Sequence, residues 1–154
     1  MKKEDEDLLL KDLCGRLPYG VKCFVNYTFC NETTDYEDVK YSTVDTLVTI
    51  NQQTESFFFE WLCEWFDIDE FKPYLFPLSS MTEEQKIECF KGTPLEIDKY
   101  GDIAVKDDFY GNSQYTDLEI YLEVIDWLNK NHFDYRGLIE KGLAIDATGL
   151  GIYE

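Results

Sequence analysis

This chain is short of positive charge. It holds 14 lysines and arginines against 32 aspartates and glutamates, a net charge of −18. A surface with that balance repels phosphate backbones and anionic lipid, so direct binding to nucleic acid or to a membrane surface is not expected. Histidine is nearly absent, with His132 alone. A metal site would therefore need cysteines or carboxylates gathered from distant segments, and nothing in their spacing marks one. Glycines never cluster as a P-loop, a dinucleotide loop or a serine-hydrolase elbow would require. No apolar run approaches the roughly 20 residues that cross a bilayer. The opening MKKEDEDLLLKDL has only a three-leucine run and does not read as a secretory signal.

What is present suits one folded domain. A length of 154 residues fits a single core, and an apolar share of 44% with 16% aromatics argues against disorder. The cysteines are Cys14, Cys23, Cys30, Cys63 and Cys89, an odd number without a C-x-x-C pair. Free thiols in a reducing cytoplasm are the simplest expectation. No cofactor is expected.

Along the chain, Glu4–Leu17 is predicted to be a helix, with acids in its first turn and Leu8, Leu9, Asp12, Leu13 and Leu17 at helical spacing. Pro18 stops it. Gly20–Cys30 alternates as a strand, with Val21, Cys23, Val25, Tyr27 and Phe29 inward. Asn31–Tyr41 is a polar connection; the glycosylation sequons Asn26-Tyr27-Thr28, in the strand before it, and Asn31-Glu32-Thr33, at its start, are read as chance. Thr43–Ile50 is a second strand. Phe57–Phe66 (FFFEWLCEWF) reads as a third strand after a turn at Asn51–Gln53, or as a helix. It is apolar on both faces, so either the fold covers its second face or a partner does.

Pro73 and Pro77 suggest an extended strap leading to a helix that starts at one of two capping boxes, at Ser80 or Thr82. That helix is expected to run to Lys91 with Ile87 and Phe90 inward. Thr93–Tyr115 is irregular, with a small hairpin between Leu95 and Tyr110. Thr116-Asp117-Leu118-Glu119 is a capping box opening a helix to Asn131. Its stripe of Leu118, Tyr121, Leu122, Ile125 and Leu128 is expected to meet the sheet. Asp134 then caps a further helix, Tyr135–Lys141. The fold class expected is α+β: a small antiparallel sheet packed against a long C-terminal helix, with additional short helices.

Little chemistry stands out. His132 is either a base or ligand, or a structural imidazole held protonated by a helix C-terminus. Any cysteine is an equal candidate to partner it. Asp102, Asp107 and Asp108 do not follow a calcium-loop spacing.

Three segments carry a resemblance. LLLKDLCGRLPYGVKC (Leu8–Cys23), KPYLFPLSSMTEEQK (Lys72–Lys86) and WLNKNHFDYRGLIEKGLAI (Trp127–Ile145) resemble a family of short uncharacterised proteins. That family is abundant in Bacteroides and related bacteria, often in phages and other mobile elements. The resemblance implies an intracellular bacterial or phage origin and a shared scaffold with variable middle segments, and brings no catalytic residues. The expected function is therefore non-enzymatic binding of a protein with a basic surface. One form is an anti-defence or regulatory inhibitor that mimics nucleic acid and occupies a basic groove. The partner-binding candidates lie in segments outside the resemblance: Glu32, Asp35, Glu37 and Asp38, and Asp98, Asp102, Asp107 and Asp108. The alternatives are an assembly domain, a homo-oligomer joined through the aromatic run, and an enzyme with a cysteine or carboxylate site. A plainer reading of the acidity is solubility alone.

Overall fold

The computed structural model describes residues 1–30, 38–106 and 118–154, with backbone alone at 29–30, 38–39 and 118–119. Helix α1 (Lys3–Arg16) opens with Glu4, Asp5 and Glu6 and closes with Arg16, the order its dipole favours. A short 3₁₀ turn containing Pro18 follows. Gly20, at φ 65°, swings the chain into the first strand, a conformation that costs glycine least.

Strand β1 (Lys22–Cys30) pairs antiparallel with β2 (Asp38–Asn51), from Lys22 opposite Thr46 to Cys30 opposite Asp38. After a register shift between Leu47 and Thr49, β2 pairs with β3 (Ser56–Phe59), and β3 with β4 (Trp65–Phe66). The other edge of β1 takes β5 (Phe71–Pro77). Two short strands then pair parallel with β5: β8 (Phe133–Asp134) at Phe76 and Pro77, and β9 (Ile145–Asp146) at Tyr74 and Leu75. The order is β4-β3-β2-β1-β5-β8, with β9 also on β5. The sheet curls: Phe71 on β5 lies 4.9 Å from Phe57 and 5.1 Å from Phe59 on β3, ring centre to ring centre, although β1 and β2 separate those strands.

Two clusters form the interior. Leu9 and Leu13 of α1 close over the inner sheet residues Val21, Cys23, Val25, Leu47, Phe57, Phe59, Phe71 and Leu75. The second cluster joins Cys89 and Phe90 from and just after α2 (Glu83–Cys89) to Val124 and Leu128 of α3 (Leu118–Lys130). It also takes Leu95 from the hairpin of β6 (Leu95–Ile97) and β7 (Ile103–Val105).

The α+β class is as expected, but the sheet is larger than the small one foreseen. The C-terminal helix α3, at 13 residues, is not long, about 20 Å. It packs on α2 and the hairpin, while α1 covers the sheet. The expected strap is β5 itself, because the φ fixed by proline is compatible with extended backbone. The aromatic run is two strands joined by a tight loop rather than one. On α2, the capping box at Thr82 and Gln85 is present, but Ile87 is 69% exposed while Cys89 and Phe90 are buried.

The buried stripe of α3 is likewise turned by about one position. Val124 and Leu128 are buried, with Tyr121 packed beside them, whereas Leu122 and Ile125 are 57% and 38% exposed. Both sets satisfy steps of three and four, so periodicity alone did not choose between them. The capping box at Thr116 and Asp117 lies outside the described residues. Finally, Tyr135–Lys141 forms turns instead of a helix. Asp134 does accept backbone N–H bonds from Arg136, Leu138 and Ile139 (3.2, 3.0 and 2.8 Å), but Gly137 at φ 69° breaks the helical path at once.

Candidate functional site

Of the acidic partner-binding candidates, Glu32, Asp35, Glu37, Asp107 and Asp108 lie outside the described residues. Asp38 is placed by its backbone alone, at the start of β2. Asp98 and Asp102 come together at the β6–β7 turn. The Asp98 carboxylate accepts from the backbone N–H of Tyr100 (2.8 Å) and of Asp102 (3.0 Å), so it closes the turn it sits on. Lys99 lies between them and Lys106 just beyond, which gives this tip mixed charge.

His132 lies in the wall of a cleft of about 560 Å³ between the end of α3, the start of α2 and the C-terminal segment. The helix stops there because Asn131 turns its side-chain amide onto the Trp127 carbonyl (2.9 Å) and His132 adopts φ 59°. Such a backbone is uncommon for a side chain of this size. It is held by the Phe76 N–H, which donates to the His132 carbonyl at 2.9 Å. The imidazole is buried and stacks on Tyr153 at 4.0 Å. Tyr153 in turn donates to the Tyr74 carbonyl (2.8 Å) and accepts from the Lys22 N–H (3.1 Å), pinning the C-terminal segment to the sheet.

Burial, reinforced by the positive charges of Arg16 and Lys22, pushes the His132 imidazole down to about 4. The protonated structural imidazole expected from the helix end is therefore corrected to a neutral one: desolvation outweighs the dipole. A base that weak leaves little driving force for proton abstraction at neutral pH. No cysteine lines the cleft among the described residues. Cys14 and Cys63 are exposed elsewhere; Cys23 and Cys89 are buried thiols raised by burial, Cys89 to about 12. All four are free. Among the described residues no group of three or more histidines, cysteines, aspartates and glutamates is placed to hold a metal ion.

A buried ion pair is the strongest electrostatic feature. The Arg16 guanidinium donates to both oxygens of Asp12, Nε to Oδ2 at 2.6 Å and Nη2 to Oδ1 at 3.0 Å, and Nη2 also reaches the Phe133 carbonyl at 2.8 Å. Both side chains are fully enclosed. Arg136 brings its Nε to 3.3 Å from Asp12 Oδ1, an ionic contact off-line for a hydrogen bond, and the Tyr135 ring lies 5.5 Å and 4.8 Å from the two guanidinium carbons. The network ties α1 to the turn after β8. The sequence did offer a signal, since Asp12 and Arg16 sit four apart on the leucine side of α1.

The described residues also present an acidic, aromatic edge. From Tyr41 to Phe71 the chain contains no lysine, arginine or histidine. Within that stretch, Phe57, Phe59 and Phe66 enter the core, while Trp61 is 73% and Trp65 is 51% exposed. Trp65 packs on Phe58, 5.3 Å between ring centres, on the side of the sheet away from α1. Asp45 accepts from the N–H groups of Trp61 (3.1 Å) and Leu62 (2.8 Å), fixing the loop that displays Trp61. Glu60, Glu64, Asp67, Asp69 and Glu70 flank β4 and are all exposed.

No known family, curated protein or solved structure matches the chain. Among the described residues no helix is long and apolar enough to cross a membrane.

Proposed function

We propose that this is a non-enzymatic acidic binding protein of a phage or mobile element, whose partner is a protein with a basic surface. In its most concrete form it is an inhibitor that occupies a nucleic-acid-binding groove. The observation that supports this most is how the positive charge is spent. The chain's two arginines, Arg16 and Arg136, both turn onto Asp12. Lys3 pairs with Glu55 and Lys86 with Glu83. With the Asp12 cluster set aside, 12 lysines stand against 31 carboxylates, so the outward field is negative, and a lysine- or arginine-lined groove is what such a field attracts. The two acidic segments named from the sequence remain candidates for the contact, beside the β3–β4 edge. Among the described residues the cleft at His132 holds a weakly basic imidazole, no thiol and Glu154 as its carboxylate, a lining that favours binding over catalysis.

The test is affinity capture from a bacterial extract at low and at physiological salt. The expected partner is basic, is lost as the Debye length shrinks from about 30 Å to about 8 Å, and is displaced by nucleic acid. An acidic partner, or capture indifferent to salt, overturns the reading. The exposed Trp61 and Trp65 favour a second reading, an assembly domain. It predicts a solution mass above 18.2 kDa by light scattering.

A further inference from the structure

We propose that the β3–β4 edge, with Phe58, Trp61 and Trp65, is the docking surface for an arginine-bearing segment of a partner protein. This rests on the acidic-binder reading and gives it a place. The inner sheet face is filled by α1, and near β5 the opposite face is covered by Tyr153 and the C-terminal segment. At the β2–β4 edge that opposite face stays open: Val48 at the register shift is 46% exposed, and the next residue, Thr49, stands opposite Phe58, which carries the half-exposed Trp65. Exposed tryptophan in such a patch is an anchor type found at interfaces.

Charge complementarity selects the occupant. Glu60 and Glu64 precede or border β4, and Asp67, Asp69 and Glu70 follow it, with no positive residue before Lys72. A guanidinium stacks on an indole face and forks onto a neighbouring carboxylate, which a lysine ammonium does less well. A second copy of this chain would bring the same carboxylates against these, and a phosphate backbone would be repelled.

Among the described residues three other surface regions lack this combination. The β6–β7 tip carries Lys99, and the first turn of α1 carries Lys2 and Lys3. The groove beside Gly15, Leu122 and Ile125 is apolar with Glu123 and Asp126, but has no exposed aromatic.

The experiment uses the full chain and a short synthetic peptide alternating arginine and serine, with its lysine counterpart. Binding is followed by tryptophan emission and by calorimetry. The arginine peptide is expected to bind more tightly than the lysine one. Trp61→Ala, at a position too exposed to endanger the fold, should weaken it roughly three- to thirtyfold. The triple change Glu60→Gln, Glu64→Gln, Asp69→Asn should weaken it at least about tenfold more than Glu88→Gln, Glu96→Gln, Glu140→Gln, which removes the same charge elsewhere. Equal losses from the two triples, or full binding by Trp61→Ala, overturn this surface and leave the acidic-binder reading standing. A dimer that Trp61→Ala dissolves also overturns it. If neither the peptide nor a folded basic protein binds at low salt, the acidic-binder reading falls with it.

Discussion

The two faces of the β1–β2 pair meet opposite fates within one residue. Cys23 and Asp45 stand opposite each other facing α1, both buried; Phe24 and Val44, the next pair along, face away, and Val44 is 42% exposed. On β3 the same step separates Phe59, fully buried, from Phe58, which rests on a half-exposed Trp65. Strand alternation accounts for the division, but not for the chemistry of the open side. A solvated face ordinarily carries polar residues, as this one does at Asn26, Ser42 and Thr46; toward β3 and β4 it carries Val44, Phe58 and Trp65 instead. The inner face is therefore specified by packing, and the outer edge by something packing does not use.

Substitutions should break that contrast in a graded order. Phe59→Ala removes a fully enclosed ring from the inner face and should cost about 3–5 kcal/mol in chemical denaturation. Arg16→Ala should cost a similar amount, about 3–5 kcal/mol, because it strands a buried Asp12 carboxylate; a joint Asp12→Leu, Arg16→Met change should recover most of it. On α3, Leu128→Ala should cost about 2–5 kcal/mol, while Ile125→Ala, which the sequence had placed inside, should cost under about 1 kcal/mol. Reversal of that pair would show that the other stripe faces in.

His132 sharpens the contrast through pH. Its folded value of about 4 lies below its ordinary 6.5, so the unfolded chain takes the proton first. The associated stability is complete above about 6.5 and is lost as pH falls toward 4. His132→Asn, which tolerates the positive φ, should flatten thermal stability between pH 6.5 and 5, before carboxylates titrate. The smallest effect belongs to the open edge: Trp61→Ala should change stability by no more than about 0.5 kcal/mol.

The sequence showed much of this where a local rule had one solution. Alternation in β1 and the acid-first α1 each had one, and both are present; of the two capping boxes offered before α2, the one at Thr82 is the one formed. It misled where two solutions fit equally, as on α3, or where a short signal met a contrary one, as Asp134 met Gly137. Pairing between distant segments left no periodic trace: nothing in Phe133–Asp134 or Ile145–Asp146 announces a parallel strand on β5. The aromatic run was legible as unusual, but its division into core and edge depends on the Asp45 contact across sixteen residues of sequence.

The cation-free stretch has a consequence for how this molecule is studied. Trypsin finds no site after Lys40 until Lys72, and Pro73 protects that bond, so most of β2 and all of β3, β4 and β5 leave as one long peptide, Tyr41–Lys86. Amine-directed cross-linkers and labels likewise have nothing to hold there. A partner seated at Trp61 and Trp65 would be invisible to lysine footprinting, and the chemistry that reports it is the kind that modifies carboxylates or indoles.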